Sequence, residues 1–241
     1  MIFRLHHKTV TVSTNLDARE GVPGDVFTAE EQTAGRGRLD HRWLSPAGVN
    51  VTLSAVLDVT DLSPERVVTL PLAVGLAVRD AVARFLPDGE IRLKWPNDVL
   101  VSGRKIAGIL CERNGDRVIA GVGVNVNQTV FAPEIAPRAT SLACEGASVP
   151  VAAVRDAFLA ELAAVWTVWR TGGFAALLPR YVAVDFLKGK TVSVFQTDED
   201  ETPLTGRCEG VQADGTLLVA GRAVYAGEAH VRDWTDGAER M

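Results

Sequence analysis

The chain has 241 residues, 47% of them hydrophobic and 23% charged, with a formal net charge of −5. Such a chain suits one sizeable globular domain, or one domain with a small appendage, and excludes the overall cationic surface that favours nucleic acid or anionic membranes. Three cysteines, Cys111, Cys144 and Cys208, lie far apart with no metal-ligand spacing, which argues against a disulfide framework or a zinc site and fits a reducing compartment.

The N-terminal segment MIFRLHHKTV lacks the apolar core of a signal peptide. Val26–Glu30 and Val49–Leu57 read as strands, the second through the alternation of Val51, Leu53, Ala55 and Leu57. Ser63-Pro64 opens a helical pattern that runs to Phe85-Leu86, and Pro87-Asp88-Gly89 stops it. Pro71 inside that pattern implies either a kink or a true start near Leu70. The apolar run Val67–Val78 is far shorter than the ~20 residues of a membrane helix, so a cytoplasmic protein without membrane attachment is expected. Short strands follow at Ile91–Lys94, Val99–Val101, Ala107–Cys111 and Arg117–Val126, a meander and not a βαβ rhythm. Asn127–Val149 reads as loop with a short element. Val151–Arg170 is the clearest helix, with Val154, Phe158, Leu162, Val165 and Trp169 on one face and Gly172-Gly173 at its end.

The character changes near Asp185. Beyond Lys190 only short strands and turns remain, with Asp214-Gly215 as a hairpin signal. The expected organisation is an α+β domain over 1–185, a mixed or antiparallel sheet with flanking helices, followed by a small β-barrel over 186–241. A tail of that size folds poorly alone, so the barrel is expected to lean on the larger domain.

Four segments carry more than scaffold. Gly35-Arg36-Gly37-Arg38, leading to Trp43, exposes backbone N–H groups beside fixed positive charge, which suits an anion. A flexible, solvated loop reads the same way, and GxxxxGK[ST] is absent. Lys94-Trp95-Pro96-Asn97-Asp98 presents Asn97 and Asp98 at a strand end, although an ordinary turn has this composition too. Gly103-Arg104-Lys105-Ile106-Ala107-Gly108-Ile109-Leu110 puts Lys105 at the head of an apolar strand. Gly121-Val122-Gly123-Val124-Asn125-Val126-Asn127 is a strand with glycines where backbone or ligand comes close.

Together with Ser13-Thr14-Asn15, these segments in this order resemble the motif series of biotin–protein ligases. Gly206, Asp214-Gly215 and Gly227-Glu228 resemble that family's small SH3-like C-terminal domain. The resemblance implies a catalytic domain like that of class II aminoacyl-tRNA synthetases. It also implies ATP, biotin and Mg²⁺, and a biotin carboxyl carrier domain of a carboxylase as partner. By the same resemblance Lys105 and Arg38 bridge the biotin carboxylate and the α-phosphate. Asp98 handles the proton of the incoming lysine. Ser13, Thr14, Asn15 and Gln32, with the backbone at Gly35, Arg36 and Gly37, recognise the ureido ring. The apolar wall comes from the strand at Gly108 and from Trp43 or Trp95. His41, Asn97 and Asn125 join Arg38 and Lys105 at the nucleotide. The Gly/Arg loop is expected to close over the adenylate.

This chain departs from the family's pattern in three places. Asp40-His41 stands where the family commonly has Gly-Arg, which puts a phosphate contact in doubt. Asn15–Gly24 is short for the usual helix. Only twelve residues precede Ser13, so no operator binding is expected; the protein would be a monomer or homodimer. The rival readings are a lipoate–protein ligase, disfavoured by the polar ring-recognition set, an RNA-binding module using Arg36, Arg38 and Arg42, and a sensor without catalysis.

Overall fold

A computed structural model of the chain describes residues 1–38, 41–195 and 202–232. Leu39 and Asp40 lie outside the described residues. In chain order come β1 (Arg4–Thr11), the single turn α1 (Thr14–Asp17), β2 (Asp25–Gln32) and β3 (Asn50–Asp58). Next are α2 (Pro64–Val67), α3 (Leu70–Ala83), β4 (Ile91–Lys94), β5 (Asp98–Val101), β6 (Arg104–Asn114) and β7 (Arg117–Asn125). After α4 (Val151–Gly172) and α5 (Leu178–Val182) come β8 (Thr191–Phe195), β9 (Leu204–Val211), β10 (Leu217–Val219), β11 (Arg222–Val224) and β12 (Glu228–Val231).

The first seven strands form one sheet in the order β1-β2-β3-β7-β6-β5-β4. It is the expected mixed sheet, since β1 runs parallel to β2 and every other pair is antiparallel. Nothing in the sequence pattern announced β1: it is an edge strand whose residues are almost all exposed, so no burial imposes alternation on it. Successive side chains of a strand take opposite faces, and here that rule divides the sheet into two roles. Val51, Leu53, Ala55 and Leu57 of β3 join Val118, Ala120, Val122 and Val124 of β7 in the main core. The intervening Asn50, Thr52 and Ser54, with Gly121, Gly123 and Asn125, make a polar, small-residue face on the other side.

α3 and α4 pack on each other and cover the apolar face. Pro71 sits in the first turn of α3, where the missing N–H costs nothing. The long helical pattern is therefore broken near Leu70, leaving α2 as a separate turn, and α3 stops before Phe85. The face read for α4 is buried at Val154, Phe158, Leu162, Val165 and Trp169. Trp169 is fully buried, and its indole N–H donates to Thr69 Oγ1 at 2.9 Å. Truncation there to alanine would cost about 3–5 kcal/mol.

The last five strands form a second, antiparallel sheet in the order β11-β10-β9-β8-β12. Among the described residues no ladder joins β11 to β12, so the small barrel expected here is seen only as a five-stranded sheet without closure. Its apolar side, with Val192, Val194, Cys208 and Leu217, is continuous with the core of the larger sheet. Asp185 sits at the junction, pairing with Leu93 and accepting from the N–H groups of Leu187 (2.9 Å) and Val211 (3.3 Å). Burial nevertheless raises its carboxyl above the usual range. No helix among the described residues is long and apolar enough to cross a membrane.

Candidate active site

The polar face of the first sheet is the floor of a cavity of about 570 Å³. Gly121 faces Ser54 across β3–β7, and Gly123 faces Gly108 across β6–β7. A Cβ at Gly121 would lie 2.1 Å from Asn15 Oδ1, and one at Gly123 would lie 2.3 Å from the Trp43 ring. Glycine is therefore required at both positions by close approach.

One end of the cavity is a neutral hydrogen-bonding network. Ser13 carries the carbonyl that opens α1, and it is buried together with Thr14 and Asn15. Gln32 Oε1 accepts from the Thr14 backbone N–H at 2.8 Å and from its hydroxyl at 3.1 Å. The fully buried Ser54 hydroxyl lies 2.8 Å from Thr14 Oγ1 and 2.6 Å from Asn15 Oδ1. Asn15 Nδ2 donates to Glu112 Oε2 at 2.6 Å, and Arg36 Nη1 donates to Glu112 Oε1 at 2.9 Å.

Between the ends stands Trp43. Gly37 N–H donates to His41 O at 2.7 Å and Trp43 N–H to Gly35 O at 3.0 Å, setting Gly35–Arg38 and His41–Trp43 as the two arms of a hairpin. That hairpin lays the Trp43 ring across Gly123 and Gly108, with Lys105 Nζ 5.9 Å from the ring centroid. The Trp43 indole N–H is buried without an acceptor among the described residues, the kind of orphan a ligand satisfies.

The other end is charged. Lys105 Nζ lies 2.6 Å from Asp98 Oδ1, reaching diagonally across the β5–β6 pair, in which Asp98 faces Gly108 and Lys105 faces Leu100. Arg38 donates to Gly227 O at 3.4 Å. Burial draws its guanidinium below the usual arginine value, and Glu228 and Asp98 offset part of that. His41 and His230 flank Glu228 at 3.8 and 3.7 Å. The nearby His230, opposed by burial and aided by the charge of His41, pulls the Glu228 carboxyl down to about 2. The second sheet thus reaches directly into the cavity.

Every residue singled out from sequence for the site lines this cavity except Gly35, whose place is under the Trp43 backbone. Asn97 and Asn125 face it with amides already committed, donating at 2.9 Å to Ile109 O and Thr140 O. Trp95 is only 3% exposed, and its indole N–H donates to Gly215 O at 3.0 Å. That bond fastens the second sheet to the first, and both Trp95 and Trp43 line the cavity. Sequence reasoning missed Ser54, Glu112, Lys94, Phe131, Glu134, Ile135, Arg138, Glu228 and His230. Alternation along β3 was a usable signal for Ser54, and the Gly227-Glu228 turn was one for Glu228. The loop residues carried no pattern. Lys94, Arg42 and Arg138 line the cavity and make no ion pair among the described residues.

Over 170 residues the chain is 44% identical to a biotin–[acetyl-CoA-carboxylase] ligase of Mycobacterium tuberculosis, covering 66% of this chain and 63% of that protein. The chain thus spans less than two thirds of that relative's length. It is 32% identical to a ligase of the same name from Paracoccus denitrificans, over 88% of this chain and 92% of that protein. A biotin protein ligase from Aquifex aeolicus, solved in complex with biotin and ATP, superposes with a TM-score of 0.82 at 28% identity, covering 95% of this chain and 98% of that one. The family model described as biotin/lipoate A/B protein ligase matches residues 3–128. With more than half of the chain under that model and one relative matched along nearly its whole length, the chain belongs to the biotin/lipoate A/B protein ligase family.

Proposed function

We propose that the protein is an ATP-dependent biotin–protein ligase acting on the carrier domain of a biotin-dependent carboxylase. One observation carries this reading: a single cavity joins a neutral donor–acceptor network at one end to Lys105 and Arg38 at the other, across a glycine floor roofed by Trp43. A bicyclic urea with an aliphatic acid tail matches that sequence of environments. The apolar dithiolane of lipoate offers neither donor nor acceptor to the hydrogen-bonding capacity left over at the Thr14–Gln32–Asn15 end, and covering polar groups with an apolar ring is costly.

In the first step a carboxylate oxygen of biotin attacks the α-phosphorus of ATP. The bond to the β-phosphate breaks, and pyrophosphate leaves. Two anions meet in this step, so the barrier falls where fixed cations face the developing charge. Lys105, oriented by Asp98, and Arg38, held by Gly227 O, are those cations. In the second step a carrier lysine amine attacks the acyl carbon of biotinyl-AMP, and AMP leaves. The amine must first lose a proton, and Asp98 is the carboxylate at that place. Phe131 and Ile135 give the nucleotide end apolar walls. No group of three or more potential metal ligands occurs among the described residues. Glu134, Glu228 and Asp98 are the carboxylates of the cavity wall that could hold Mg²⁺ beside the ATP phosphates. When bound, it would neutralise phosphate charge.

Biotin-dependent exchange of labelled pyrophosphate into ATP tests the reading, with lipoate run in parallel. Exchange with biotin alone supports it. Exchange with lipoate alone moves the substrate to the other branch of the family, and exchange with neither sinks the adenylation step.

A further inference from the structure

The mechanism makes no use of Glu112, yet this residue holds two parts of the site at once. One carboxylate oxygen accepts from Asn15 Nδ2 at 2.6 Å and the other from Arg36 Nη1 at 2.9 Å. Glu112 stands on β6, on the same face as Gly108 and Leu110 and opposite Ile119 of β7. The ring-recognition segment and the arginine hairpin come from different parts of the chain, and this one side chain joins them.

We infer that Glu112 is a positioning residue that fixes which way the Asn15 amide faces, and so sets which pattern of ring donors and acceptors the site takes. A carboxamide has two N–H donors and two acceptor directions. Glu112 holds one N–H. Ser54, with a single hydroxyl proton, lies 2.6 Å from Asn15 Oδ1, closer than the 2.8 Å to Thr14 Oγ1. The reversed amide would set an oxygen against the Glu112 carboxylate, acceptor against acceptor. Asn15 therefore keeps one donor and one acceptor in a fixed order at the cavity wall. Gly121 provides the room, since any Cβ there would strike Asn15. A cyclic urea supplies the complementary pair, a carbonyl oxygen and an N–H. A ring guanidinium of the same shape supplies donors only and is refused. The ion pair to Arg36 ties the closed hairpin to the same carboxylate.

This role rests on the biotin reading above, and the test separates the two. Pyrophosphate exchange is measured with biotin and with iminobiotin, whose ring carbonyl is replaced by a protonated imine, for wild type, Glu112→Leu and Glu112→Gln. The wild type is expected to favour biotin in KM. Glu112→Leu frees the amide to reverse, so the KM ratio between the two compounds should collapse by about tenfold or more, with kcat for biotin changed far less. Glu112→Gln offers an oxygen to Asn15 and should restore the ratio, while losing the charge that holds Arg36. Were Glu112 merely structural, both KM values would rise together with the ratio intact, which overturns the inference. Loss of the ratio in Glu112→Gln overturns it too, and this arm stands even where the leucine variant does not fold. Absence of exchange by the wild type with either compound would overturn the biotin reading itself, and the inference with it.

Discussion

The two ends of the cavity are built on opposite principles. At the polar end, Thr14, Asn15 and Ser54 are at most 5% exposed, and their hydrogen bonds form a connected network. At the charged end, Lys105 and His41 are 38% and 68% exposed in their side chains, and Lys94, Arg42 and Arg138 make no ion pair among the described residues. A buried network is rigid before ligand arrives, because each unsatisfied member would carry a desolvation cost. Exposed cations are solvated and wait for an anion to order them. On the function proposed above, the first end would select the acid and the second would assemble around the nucleotide. The glycine floor lets both meet one extended ligand.

Substitutions can break this division, and the largest effect is expected at the junction. Lys105→Ala removes the cation at the reacting carboxylate, and pyrophosphate exchange should fall by about 10²–10³-fold. The loss should appear in kcat, with the KM for biotin held within a few-fold. A loss confined to KM would show that Lys105 only binds. Gly123→Val should come next. Its side chain enters the space of the Trp43 ring, 2.3 Å from the position of a Cβ. Overpacking of this kind costs about 1–3 kcal/mol, and urea denaturation together with a raised KM for biotin would register it. An unchanged KM would mean that Trp43 moves aside freely.

Arg38→Gly sharpens the contrast from the other side. It removes the contact to Gly227 O and a cation that would hold the adenylate. Exchange should fall by on the order of tenfold, while labelling of lysines on a bystander protein rises as biotinyl-AMP escapes. Equal bystander labelling would place retention elsewhere. The smallest effect concerns Glu228. Its carboxyl is pulled to about 2 from an ordinary 4.5, so the ionised form is favoured by the fold. That contribution is complete above about pH 4.5 and is lost as pH falls toward 2. Partly exposed pairs of this kind contribute less than about 1 kcal/mol. The wild-type urea midpoint should therefore drop slightly more than that of Glu228→Gln between pH 5 and pH 3. Parallel curves for the two proteins would remove Glu228 from the contact between the sheets.

Local signals carried much of this protein. Alternation and turn residues located most strands, and the amphipathic face of α4 was correct at all five named positions. The glycines of β7 also told their purpose, because a missing Cβ between valines means close approach. What had no local signal needed partners from elsewhere. β1 is ordered by a parallel neighbour and exposed on its outer side, so burial writes no pattern into it. Trp95 reads as a wall residue in KWPND, and only the folded chain shows its N–H committed to Gly215.

The sequence by itself determined the chemistry on offer: a glycine floor, a polar hydrogen-bonding set and clustered cations in a fixed order along the chain. Tertiary structure decided how those groups are oriented. Glu112 meets Asn15 across 97 residues and Arg36 across 76, and Gly227 meets Arg38 across 189. Hydrogen-bond direction depends on which donor faces which acceptor in space, and periodicity along a strand carries no such information.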